Sequence, residues 1–177
     1  LNNLTINGSG TTVTIATSDL SVSGTVTIGA AADGDNDTLS IGSSRTLTST
    51  TTGTVTLVGS GTDSISGAGT LKVQNSNLGT GGTLSPIVNF DATNGTITLP
   101  ARTYGGAVQV TNTGSTNRTV TGAAGTITMS STYDSSVTST GSATLDLDTN
   151  DPTVTITGNA TIGATTVLSA SASASFS

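Results

Sequence analysis

Every acidic side chain in the sequence is an aspartate, there are ten of them, and six fall into two tight clusters. The first, Asp33-Gly-Asp-Asn-Asp37, sets carboxylates at alternating positions of a polar loop. Oxygen-only ligands so spaced suit a hard cation such as calcium, although the distal Glu and remaining spacing of an EF-hand loop are missing. The second is Asp146-Leu-Asp-Thr-Asn-Asp151. If Leu145 and Leu147 face inward on a strand, Asp146 and Asp148 share its outer face, and Asp151 caps the turn before Pro152. Asp33, Asp35, Asp37, Asp146, Asp148 and Asp151 are therefore candidate calcium ligands. The competing reading is two solvated acidic loops, and no other cofactor is expected.

Catalysis has little to work with. The chain contains no His, Glu or Cys, and Asp19, Asp63, Asp91 and Asp134 are dispersed. The commonest general acids and bases are thus missing, and an enzyme is not expected. Arg45, Lys72, Arg102 and Arg118 are scattered in a chain of net charge -6, so nothing could neutralise a row of phosphates and nucleic acid is not an expected partner. Without cysteine there is neither a disulfide framework nor a thiolate metal site. Thr-x-Thr triplets such as Thr12-Val-Thr14, Thr96-Ile-Thr98 and Thr153-Val-Thr155 are of the type that forms flat ice-binding faces. That use needs one constant period, and the intervals here vary widely, so the simpler reading is that Thr suits the outer face of a strand. Sequons at Asn3, Asn7, Asn36, Asn94, Asn117 and Asn159 are candidate glycosylation sites.

The elements that must carry these residues are short strands. Leu20-Ser-Val-Ser-Gly-Thr-Val-Thr-Ile-Gly29 returns nearly unchanged as Val154-Thr-Ile-Thr-Gly-Asn-Ala-Thr-Ile-Gly163, with looser copies at 65–73 and 120–129. Alternation predicts an inward face of Val22, Val26, Ile28, Ile65, Leu71, Val120, Ile127, Ile156 and Ile162, with Gly24 turning a corner between two strands. The composition, 32% hydrophobic, 2% aromatic and 8% charged, excludes a bulky aromatic core, while β-branched residues in alternation argue against disorder. Strand-sized segments recur along the chain and no helical period survives. A sandwich or antiparallel barrel would fit the spacing, but three short strands per coil joined by glycine corners fit better. The expected fold is therefore all-β, a single right-handed parallel β-helix without helices over residues 1–177. It carries an irregular loop at about 74–95 and a small-residue tail at 170–177, Phe90 fills a wider part of the core, and Tyr104 and Tyr133 are the aromatics available at the surface. No apolar run approaches the roughly 20 residues needed to span a bilayer.

The phrases Leu4-Thr-Ile-Asn-Gly8, Leu20 to Ile28 and Thr96-Ile-Thr-Leu-Pro-Ala-Arg-Thr-Tyr-Gly-Gly106 resemble the secreted right-handed parallel β-helix proteins of bacterial surfaces, among them the filamentous-haemagglutinin-like adhesins and other Thr- and Gly-rich repetitive surface proteins. The resemblance covers most of the chain and implies an exported structural or adhesive protein. It carries over no catalytic residue.

The functional expectation comes from the ends. Strand patterning starts by Leu4 and continues to Leu168, with neither a capping helix nor a charged terminal coil, so coil edges are expected to be open at both ends. The chain is read as an extracellular, cell-surface structural subunit that stacks on copies of itself head-to-tail in a filament or surface layer. Leu4, Ile6, Val167, Leu168 and Phe176 are expected at the joint. The alternative is a stalk or binding segment of an adhesin, with surface glycans as partners.

Overall fold

The structure, a computed structural model, describes residues 1–30, 34–50, 53–58, 62–74, 77–93, 95–136 and 139–170. Asp33, Asn94, Phe176 and the tail beyond Ala170 lie outside the described residues. Along the chain, the first coil holds β1 (Leu4–Ile6), β2 (Thr12–Ile15) and β3 (Leu20–Val22); the second β4 (Val26–Ile28), β5 (Thr38–Ile41) and β6 (Thr46–Ser49); the third β7 (Thr54–Leu57), β8 (Ser64–Ser66) and β9 (Thr70–Val73). The fourth has β10 (Asn77–Leu78), β11 (Thr83–Leu84) and β12 (Ile87–Asp91), and the fifth β13 (Ile97–Leu99), β14 (Thr103–Tyr104) and β15 (Val108–Thr111). Then come β16 (Arg118–Gly122), β17 (Thr126–Met129) and β18 (Tyr133–Asp134), followed by β19 (Ala143–Asp146), β20 (Thr153–Ile156) and β21 (Ala160–Thr161), with β22 (Thr166–Ser169) opening another coil. All the recorded pairings between strands are parallel and join one coil to the next, which makes the chain a β-solenoid. Among the described residues there is no helix, so none is long and apolar enough to cross a membrane.

Three faces result. The first carries β1-β4-β7-β10 and then β13-β16-β19-β22; the second β2-β5-β8-β11 and then β14-β17-β20; the third is one seven-stranded sheet from β3 to β21. Side chains alternate in and out along each strand, so one apolar row per face meets in a narrow core. Val22, Val26, Ile28, Ile65, Leu71, Val120 and Ile127 are fully buried there, as their alternation predicts. Ile156 is only partly buried and Ile162 is 46% exposed, because no described coil covers them.

Coil length varies from 17 residues, between the paired Thr70 and Ile87, to 29, between Val26 and Val55. The extra residues are placed at the corners, leaving the stacked rows in register. The segment 74–95 is not a loop leaving the stack: β10, β11 and β12 lie within it and close the shortest turn, with Leu78, Leu84, Val88 and Phe90 buried. Phe90 packs edge-on to Tyr104 at 6.0 Å, and the Tyr104 hydroxyl donates to Pro100 O (3.0 Å). At Gly24, between β3 and β4, the backbone runs so close to Asn2 O that a Cβ would collide with it. Gly67, between β8 and β9, needs its residue type twice over, since its φ is +98° and a Cβ would strike Ile41 O in the coil beneath.

Candidate functional site

The two acidic clusters are used for turning the chain. Asp37 is fully buried at the corner before β5, where Oδ2 accepts from Gly8 N (2.9 Å) and Oδ1 from Thr11 N (2.6 Å) of the coil below. Asp63 repeats the device one coil on, accepting Asp37 N through Oδ1 (2.9 Å). Both Asp37 oxygens are thus spent on backbone N-H groups of a neighbouring coil, and Asp35 is half-buried beside it. In the second cluster Asp146 caps the turn at 146–149: its carboxylate accepts from Asp148 N, Thr149 N and Thr149 Oγ1 (2.6 Å). These bonds, led by the Thr149 hydroxyl, hold its carboxyl below the usual range. Asp148 and Asp151 are exposed, and Asp151 has the left-handed φ of 44°. Among the described residues no three acidic groups converge as metal ligands.

The third face holds a polar network that the alternation pattern does not disclose. Asp91 and Asn89 point outward from β12 yet are buried, because longer neighbours fold over them. Asp91 accepts from Gln74 Nε2 (2.8 Å), Thr113 N (2.8 Å) and Thr113 Oγ1 (2.8 Å), and Lys72 Nζ lies 3.5 Å away. Burial alone would raise its carboxyl pKa, but the bonds from Gln74, Thr113 and Thr93 outweigh burial and leave it below the usual value. Asn89 donates to Gln109 Oε1 and accepts from Thr111 Oγ1. Around Asn89 and Asp91, donors and acceptors on this face meet one another.

On the second face the same alternation presents hydroxyls in columns. Pairing places Thr12, Thr38, Ser64 and Thr83 in one line, and Gly105 N donating to Leu84 O carries it on to Thr103, Thr128 and Thr155. Thr14, Ser40 and Ser66 begin a parallel column. Unequal intervals in sequence therefore do not mean unequal positions in space, so the argument from interval against an ordered threonine face does not hold. Neither column contains a charged residue.

A groove of about 320 Å³ interrupts this face where the fourth coil is shortest, edged by Thr80, Thr83, Ser85, Arg102, Thr103 and Gly105. Arg102 is only 8% exposed. It donates to Gly79 O and to Gly82 O (3.0 Å), stands 5.9 Å from the Tyr104 ring centre, and keeps a buried Nε without a partner. Its recorded hydrogen bonds and ring contact include no carboxylate. Burial makes its charge less favourable.

Another cavity, about 360 Å³ and almost wholly apolar, lies at the end of the described solenoid beside β20 to β22, a mouth that no described coil covers. Leu145, Leu147, Val154, Ile156, Ile162 and Leu168 line it. Of the residues expected at a joint, Leu168 lies on this rim, and Val167 is 56% exposed but points outward from the first face. Ile6 is already buried in the core of the first coil, with Leu4 packed against it, so Ile6 is a core residue and offers no free surface. Tyr104 and Tyr133 are buried, and burial pushes the Tyr133 hydroxyl up to about 12. The expected surface aromatics are thus core residues. Asn3, Asn7, Asn36, Asn117 and Asn159 are exposed.

Against known protein-family models, curated proteins and solved structures, the chain has no match.

Proposed function

We propose that the chain is a structural element of an elongated extracellular assembly, extended by stacking one copy on the next. The observation that carries this reading is the location of exposed apolar surface. The large hydrophobic side chains most exposed among the described residues are Leu1 and Val13 on the first coil and Ile162, Val167 and Leu168 around the last described one. Between them the outward strand rows are polar apart from residues such as the partly buried Ile87. An open solenoid end also leaves a row of unpaired N-H and C=O groups on each face, and a second coil is the partner that satisfies both needs at once. Stacking the first coil of one copy over the mouth of another is a heterologous contact, which propagates instead of closing. An extracellular setting rests on the Thr-, Gly- and Asn-rich composition and completes the reading.

Sedimentation velocity over a range of concentrations, with negative-stain electron microscopy, tests it. Rods with an axial repeat of about 35 Å are expected, from strand spacing of about 4.8 Å per coil over the described coils. A species that stays monomeric at high concentration would remove the proposal.

A further inference from the structure

We infer that the groove at Arg102 binds an oxyanion carried on a hydroxyl-rich chain, namely the carboxylate of an acidic polysaccharide lying along the second face. A buried guanidinium whose recorded bonds go only to two carbonyl groups is unusual in a protein of net charge -6, since buried cations ordinarily find a carboxylate. Of its five N-H donors, two are committed to Gly79 O and Gly82 O, and Nε has no partner. Two carbonyls hold the planar head at the wall of the groove, and carboxylates are the groups such a head recognises in pairs of hydrogen bonds.

What surrounds Arg102 indicates what carries the charge. Thr83 and Thr103, from successive coils of the hydroxyl column, line the same groove and are exposed. Neither hydroxyl makes a recorded hydrogen bond within the protein, so both are offered outward. The column continues at about 4.8 Å per coil in both directions, a repeat close to that of one sugar residue in an extended polysaccharide. With Tyr104 and Tyr133 buried, stacking on aromatic rings is not the means of recognition, and charge must supply the anchor. The chain's own acidic groups stand away from this wall: Asp91 is on the third face, and Asp37 and Asp63 are turned into the corner. This inference is independent of end-to-end stacking.

The experiment is calorimetric titration of the intact chain with an oligouronate, with a neutral oligosaccharide of the same length, and with acetate. Binding of the oligouronate alone is expected, weakening several-fold as salt is raised. Arg102→Gln is expected to lower the affinity at least tenfold. Because this change also removes two bonds between coils, Thr83→Val combined with Thr103→Val is the second test, expected to weaken binding several-fold without moving the melting temperature. Equal affinity for the neutral sugar or for acetate, or unaltered binding in either folded variant, would overturn the inference. So would thermal hysteresis that survives Arg102→Gln, which would make the hydroxyl columns an ice-binding face.

Discussion

The two successive coils holding Phe90 and Tyr104 and the coil holding Ile156 and Ile162 obey the same alternation, yet their inward residues fare very differently. Phe90 and Tyr104 are fully buried, with a coil above and a coil below. Ile162, equally inward by pattern, is nearly half exposed. Burial in a solenoid is therefore a property of neighbouring coils, and a residue's contribution depends on whether its row continues past it. Fully burying an aliphatic side chain contributes about 1.5–3 kcal/mol, and the end rows forgo part of that.

Substitutions along one row break or sharpen the contrast. Ile65→Asp, covered on both sides, is expected to cost several kcal/mol and abolish cooperative unfolding, read by circular dichroism. Asp91→Ala in the middle of the third face leaves the partners of that carboxylate unmatched, and a loss of about 1–3 kcal/mol in chemical denaturation is expected. The same group sets a pH dependence. Its folded pKa lies below the unfolded value near 3.8, so its stabilisation is complete above that value and lost as pH falls through it towards the folded pKa. Melting temperatures should fall on that acid limb, and less steeply in Asp91→Asn. Ile156→Asp, only partly covered, should cost about 1 kcal/mol. Ile162→Asp should shift stability by no more than about 0.5 kcal/mol, yet abolish self-association in sedimentation. A large loss of stability from Ile162→Asp would mean that the mouth is covered, and the comparison would fail.

Alternation around Val22, Ile65 and Val120 was legible from sequence because period two forces the inward face. The repeat itself marks a corner without saying which. Leu20–Gly29 turns from the third face to the first, whereas Val154–Gly163 turns from the second to the third, so the shared phrase is a way of making any corner and not a marker of coil position. The segment 74–95 was obscured because β10 and β11 are two residues each, too short for a pattern. Asp37 and Asp91 looked like surface groups since nothing local shows that another coil supplies their donors. The hydroxyl columns were hidden by unequal corners, and Arg102 by the absence of any motif around it.

Coil lengths of 17 to 29 residues have a mechanical consequence. Hydrogen bonds between coils run along the long axis, so the body is stiff against compression, while a pull on its two ends strips one coil at a time instead of shearing a whole sheet. Stretching the molecule should give a staircase whose steps each release one coil. Their heights should be unequal, the shortest marking the coil between Thr70 and Ile87.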